Sequence, residues 1–216
     1  MNIPIAKEGY PFIIPLIIGS AVSWVFFPII ITIILTGLLI FVTFFFRDPE
    51  RIVSEEKNTV LSPADGKIVE IVVEEDPFLK RPFKRISIFL NVFNVHINRA
   101  PITGRIQKVR YVPGKFLAAF NDKASLDNEQ TAILFENKGI QVLVKQIAGL
   151  IARRIVCWAS EGEDYSHGQR FGLIRFGSRV DVFIPENTLL NVAKGDRVTG
   201  GISILGYLKE KNHEIA

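Results

Sequence analysis

Arg179-Val180-Asp181-Val182-Phe183-Ile184 alternates charged and apolar side chains with a period of two until its last pair. Only an extended strand sends alternate residues to one face, so the stretch reads as β and not as helix. Working back toward Arg47, the chain keeps this pattern in short β-branched runs bounded by Gly, Pro or Asn. Lys67–Val73, Arg85–Val92, Arg105–Val112, Thr131–Phe135, Ile140–Ile147, Arg153–Trp158 and Gly172–Phe176 read as further strands. Asn137-Lys138-Gly139 has the chemistry of a tight hairpin turn. One short helix is expected near Lys115–Phe120, and the polar tail Lys209–Ala216 is expected to fray. These elements predict a mostly β fold, a compact barrel- or sandwich-like domain (barrel-sandwich-hybrid-like) over residues 47–216.

Residues 11–46 are of another kind. From Pro11 to Phe46 there is no Asp, Glu, Lys, Arg or His, and Lys7 and Glu8 are the only charged residues before Arg47. The run is too long for the apolar core of a secretory signal, and no small-residue cleavage site follows it. As one straight helix it would extend about 54 Å, against a hydrocarbon core of roughly 30 Å. Pro28 divides it into Phe12–Phe27 and Ile29–Phe46. The expected structure is a short transmembrane or re-entrant helical hairpin behind a tail of residues 1–10, with a single kinked span as the alternative. Arg47, Arg51 and Lys57 follow at once, which favours the cytoplasmic face of the cell membrane for residues 47–216 by the positive-inside bias.

The 216 residues carry a formal charge of +4 and one cysteine, Cys157. That excludes an internal disulfide framework and a cysteine-cluster metal site, and with three histidines no metal site is expected. The scattered basic residues argue against nucleic acid and fit an anionic membrane surface better. Phosphate-loop, dinucleotide, nucleophile-elbow and zinc-protease motifs are all missing.

Three local features carry possible chemistry, each with a plainer alternative. Ser62-Pro63-Ala64-Asp65-Gly66-Lys67 presents an Asp before a strand, or is simply a β-turn. Asn94-Val95-His96-Ile97-Asn98-Arg99-Ala100-Pro101 holds a His among aliphatics, or is core. Arg175-Phe176-Gly177-Ser178-Arg179 places Gly-Ser between two strands, or is a β-bulge. His167, in Tyr165-Ser166-His167-Gly168, reads as a solvated loop histidine.

Together with Asp127-Asn128-Glu129-Gln130-Thr131 and Phe45-Phe46-Arg47-Asp48-Pro49-Glu50-Arg51, these motifs resemble the phosphatidylserine decarboxylases in order and spacing. The likeness is to the short, membrane-anchored prokaryotic form, and runs from Phe45 to about Leu208 plus the apolar N-terminus. The longer bacterial enzymes have Leu-Gly-Ser-Thr where this chain has Phe176-Gly177-Ser178-Arg179.

The resemblance implies a proenzyme that cuts itself between Gly177 and Ser178. The products would be a β chain, Met1–Gly177, and an α chain, Ser178–Ala216, which stay associated. It implies that Ser178 is the attacking hydroxyl and the source of a covalent pyruvoyl cofactor, that His96 is the base, and that Asp65 orients His96. Arg99, Arg175 and Arg179 lie near the motifs as candidates for binding the headgroup, and the sequence does not choose among them. The implied reaction converts phosphatidylserine to phosphatidylethanolamine and CO₂ in phospholipid biosynthesis. Archaetidylserine, a serine headgroup on ether-linked tails, is the alternative substrate. Further alternatives are a membrane-tethered carrier or binding module, suggested by Leu190–Val198 and the Ser62–Lys67 motif, and a serine hydrolase that stays one chain. A homo-oligomer remains open.

Overall fold

In the computed structural model the described residues are 4–54, 56–76, 79, 81–114, 128–149, 154–175 and 178–209. The expected helix at Lys115–Phe120 and most of the C-terminal tail lie outside them, as do Phe176 and Gly177. The described chain falls into two units, one of Met1–Glu50 with Phe93–Val95, the other of Arg51–Val92 with His96–Ala216.

The first unit is a helical hairpin. A 3-10 turn at Lys7–Gly9 leads into α1, Tyr10–Phe26, and α2 covers Ile29–Phe45. Pro28 lacks the amide hydrogen that would continue α1 and stands as the N-cap of α2, so the reversal falls at this residue. Next to the reversal, the Ser23 and Thr32 hydroxyls hydrogen-bond at 2.9 Å and are buried between the helices. At the open end, Ile5 bridges Arg47, the Ala6 amide donates to the Phe46 carbonyl at 2.9 Å, and Phe12 stacks on Phe46. Both ends of the apolar run therefore meet, as a hairpin requires.

The second unit is built from β1 (Thr59–Leu61), β2 (Gly66–Glu75), β3 (Pro82–Leu90), β4 (Ile97–Arg99), β5 (Gly104–Val112), β6 (Gln130–Asn137), β7 (Ile140–Ala148), β8 (Ile155–Cys157), β9 (Asp164–Tyr165), β10 (Arg170–Ile174), β11 (Ser178–Pro185), β12 (Leu189–Leu190), β13 (Arg197–Val198) and β14 (Ile204–Tyr207). The main sheet has the order β13-β2-β3-β11-β7-β6-β5-β9 and curls into a half-barrel. Two small sheets, β4-β10-β8 and β1-β14-β12, complete it. All pairings are antiparallel, and irregular registers in β2 and β5 add local twist. The β6–β7 turn is as read from the sequence: Lys138 and Gly139 have φ of 48° and 77°, which a two-residue primed turn needs.

One face of the main sheet buries Ile86, Ile88, Val144, Val180 and Val182 in one apolar core. The other face does not follow the polar-out expectation of the alternation. Arg179 and Asp181 are each only 1% exposed there. Arg179 donates to Asp181 at 2.7 Å, to Ser87 at 2.7 Å and to Glu70 at 3.3 Å. Arg85 pairs with Glu74 and Glu70, and Lys145 with Asp76. Burial pulls the Arg85 pKa down, but Glu74, Asp181 and Glu70 outweigh it and leave the guanidinium more firmly protonated than usual. The period of two was right, but charge does not mark the exposed face here.

Candidate active site

Ser178 is the first residue of β11, paired with Leu90 of β3 on one side and Ala148 of β7 on the other. All three are fully buried on the core face. Among the described residues the Ser178 hydroxyl has no hydrogen-bond partner. Asn128, from the Asp127–Thr131 motif, donates from Nδ2 to the Ala148 carbonyl at 2.7 Å, and the Ala148 amide donates to Glu129 at 2.9 Å. That motif therefore braces the strand end facing Ser178.

His96 lies directly before β4 and is 2% exposed. Its carbonyl accepts from the Ile174 amide at 3.3 Å, four residues before Ser178. The Ser62–Lys67 motif packs along this segment, with the Arg99 amide donating to the Pro63 carbonyl and the Leu61 amide to the Pro101 carbonyl, each at 2.9 Å. These backbone bonds join the Asn94–Pro101 stretch to the Ser62–Lys67 motif and to the strand that precedes Ser178, while the Ser178 hydroxyl is hydrogen-bonded to neither His96 nor Asp65. Asp65 has a defined setting. Arg51 grips its carboxylate with two bonds of 2.7 and 2.9 Å, and the Gly200 amide adds a third at 2.8 Å. Gly66 begins β2 instead of making a β-turn; a Cβ there would stand 2.3 Å from the Phe89 carbonyl oxygen, so its glycine serves close strand approach.

The family profile described as Phosphatidylserine decarboxylase matches residues 38–206. The chain is 44% identical over 216 residues to a phosphatidylserine decarboxylase proenzyme of Geobacter metallireducens, covering 96% of this chain and 98% of that one. It is 46% identical over 224 residues to the proenzyme of the same name from Burkholderia mallei, covering 98% and 100%. A third such proenzyme, from Magnetococcus marinus, is 46% identical over 213 residues, with 96% of each chain covered.

The chain belongs to the phosphatidylserine decarboxylase family. As a member it is a carboxy-lyase.

Within this decarboxylase the three candidate arginines have different surroundings. Arg179 points to the face of β11 opposite Ser178, where its guanidinium is held by Asp181, Ser87 and Glu70. Arg99 is 4% exposed, donates to the Gly168 carbonyl at 3.1 Å and packs under Gly201. Arg175 is partly buried, three residues before Ser178.

Sequence reading missed the grip of Arg51 on Asp65 and the buried contact of Asn98 with Gln146, whose Nε2 donates to Asn98 Oδ1 at 2.8 Å. Arg51 ends the Phe45–Arg51 motif, and Asn98 lies two residues past His96, so motif membership was a usable signal for both. Gln146 lies in a run of strand residues with nothing to set it apart.

His167 lies in a turn, as read, but is half-buried, and its Nε2 bonds to the Pro101 carbonyl at 3.0 Å. Burial pushes its pKa below the usual histidine value, partly offset by that carbonyl. A histidine whose folded pKa is depressed favours folding while neutral. Its contribution is present above the unfolded value of about 6.5 and is lost as pH falls through the folded pKa. The thermal midpoint should therefore fall between about pH 7.5 and about pH 5, and His167→Gln should flatten that part of the curve in a calorimetric scan.

Proposed function

We propose that the chain is a self-cleaving zymogen whose mature form decarboxylates phosphatidylserine to phosphatidylethanolamine. The observation that carries this reading is the Ser178 hydroxyl, fully buried at the head of a central strand and without a partner among the described residues. A buried hydroxyl left unpaired destabilises a fold by about 1–3 kcal/mol. A purely structural residue here would be Ala or Val. A serine kept at this cost suits a hydroxyl held ready for reaction.

In the proposed cleavage the Ser178 oxygen attacks the Gly177 carbonyl carbon and His96 takes the hydroxyl proton. Asp65, fixed by Arg51, positions His96 from the adjoining segment. The peptide nitrogen leaves as the Ser178 amine and the linkage becomes an ester. Loss of the α-proton expels the Gly177 carboxylate, and water releases the nitrogen as ammonia, leaving the new α chain with a pyruvoyl cap. The residues fit such a group: the Ser178 backbone is fixed by two strands, and its cross-strand neighbours Leu90 and Ala148 are apolar and fully buried. The pyruvoyl group supplies an electron sink for the pair released as CO₂ departs. His96 is the proposed donor of the proton that replaces CO₂. Arg175 and Arg99 remain the proposed partners of the lipid phosphate, since Arg179 is committed to its own carboxylates.

Residues 11–46 are the proposed membrane anchor of a catalytic domain at 47–216. Lys7–Phe26 is long and apolar enough to cross a membrane, and Ile29–Phe45 is shorter. The hairpin turns large apolar side chains outward, with Trp24 70% and Phe26 75% exposed, which suits lipid contact better than water. Arg47, Arg51 and Lys57 beyond α2 support a cytoplasmic catalytic domain.

A denaturing intact-mass spectrum of the detergent-purified protein, with CO₂ release from phosphatidylserine vesicles, tests the proposal. Two chains divided after Gly177, the smaller lighter by one ammonia, together with CO₂ release are expected. A folded wild-type protein that stays whole and releases no CO₂ would overturn it.

A further inference from the structure

Beside Ser178 lies a pair of buried amides that the proposed chemistry leaves unused. Gln146 sits on β7 opposite Val180, two residues along β11 from Ser178 and on the same face. At this diagonal spacing a long side chain reaches its neighbour's site. Asn98 sits on β4 opposite Gly172 of β10. The two side chains meet across the gap between the sheets, with Gln146 Nε2 donating to Asn98 Oδ1 at 2.8 Å. Gly172 leaves the space for this crossing, since a Cβ there would lie 3.0 Å from Gln146 Nε2 and 2.3 Å from the Val156 carbonyl oxygen.

Both residues are fully buried, yet one bond is all they share. Among the described residues the Asn98 amide nitrogen and the Gln146 carbonyl oxygen have no partner. Exchanging O and N in both amides leaves the same surplus, one NH₂ group and one carbonyl. With the Ser178 hydroxyl, this makes three polar groups unpartnered among the described residues, on residues that are 0% exposed, at one end of β11.

We propose that Asn98 and Gln146 read the carboxylate of the serine headgroup, an inference that rests on the decarboxylase reading above. The surplus N–H donates to the carboxylate, and the surplus carbonyl accepts from the neighbouring amine. Neutral amides suit a carboxylate destined to leave. They orient it without neutralising it, so a buried anion gains more from losing CO₂ than it would beside an arginine. The ethanolamine headgroup lacks this group, so the N–H is orphaned again after turnover and the product is held more weakly.

The test compares binding of glycerophosphoserine and glycerophosphoethanolamine by calorimetry, using mature enzyme treated with borohydride to block turnover. Both probes carry the phosphate, so only the carboxylate differs. Wild type should prefer the serine probe by about 10- to 100-fold, the range for hydrogen bonds to a charged group. The double variant Asn98→Leu/Gln146→Met removes both partners at similar volume, so it should still fold and cut itself. Its preference should shrink to within about twofold, and kcat/KM for phosphatidylserine should fall by the same factor. Gln146→Glu keeps an acceptor for Asn98 but adds a negative charge, and should abolish the preference while leaving cleavage intact.

Retention of the serine preference by cleaved variants would overturn the assignment. So would a folded double variant that stays uncut, which would place the pair in self-cleavage. If the double variant does not fold, Gln146→Glu alone decides between these outcomes. Wild-type enzyme that cuts itself but releases no CO₂ from phosphatidylserine would instead refute the decarboxylase reading, whatever the variants do.

Discussion

Ser178→Ala is expected to yield one uncut 216-residue chain that releases no CO₂ from phosphatidylserine and is no less stable than the wild-type precursor. The first two outcomes follow from losing the only hydroxyl assigned to the attack. The third follows from its environment. Ser178 is packed between Leu90 and Ala148, and its oxygen makes no hydrogen bond among the described residues. Alanine removes an orphaned polar atom and leaves the strand pairing unchanged, so up to about 1–3 kcal/mol of desolvation penalty is relieved. Intact mass, a thermal scan and a CO₂ assay read the three outcomes separately. His96→Asn provides a graded comparison, since loss of a general base slows cleavage by about 10²- to 10⁴-fold without removing the nucleophile. The mature wild-type α chain should also resist a fluorophosphonate probe, because its hydroxyl has been consumed. Labelling of an intact chain at Ser178 would favour a hydrolase instead.

Much of this architecture was legible in the chain, for identifiable reasons. The long strands β2, β3, β5, β6, β7 and β11 each have enough residues to display β-branched or alternating patterns. Pro28 marked the helical reversal because a residue without an amide hydrogen is a poor helix interior. The strands that escaped, β1, β4, β9, β12, β13 and β14, span two to four residues, too few for any period to register. β4 matters most among them, because it carries Asn98 and follows His96.

The site was legible as segments but not as partnerships. Motif order pointed to Asp65, His96 and Ser178, and the Arg99–Pro63 and Ile174–His96 backbone bonds bring their segments together. Which side chains serve the site was not readable. Arg179 adjoins Ser178 in sequence, yet strand alternation carries it to the opposite face, into an ion network with Asp181 and Glu70. Gln146 meets Asn98 from 48 residues away, a relation that only the packing of one sheet on another creates. Gly66 illustrates the same limit, since Asp-Gly reads as a turn while its reason for being glycine is the Phe89 carbonyl of another strand.

Arg51→Met should destabilise the catalytic unit by about 3 kcal/mol and stop self-cleavage. Arg51 and Asp65 form a bidentate pair with side chains only 7% and 15% exposed. Removing one partner of a buried pair leaves the other charge uncompensated, and such losses are about 3–5 kcal/mol. In a domain of this size that lowers the thermal midpoint by roughly 6–12 °C. The Gly200 amide still bonds Asp65, which keeps the expected effect at the lower end. Asp65→Asn on the Arg51→Met background removes the stranded charge, so the double variant should recover most of the lost midpoint. It should not recover cleavage, because a neutral amide cannot support the charge that His96 gains on taking the Ser178 proton. Calorimetry and intact mass would then diverge: stability returns while the chain stays whole. If cleavage returned together with stability, the carboxylate of Asp65 would be a structural group and the assignment of its orienting role would fail. If stability did not return, Arg51 would act through contacts other than Asp65, of which the Gly200 carbonyl at 2.7 Å is the first to examine.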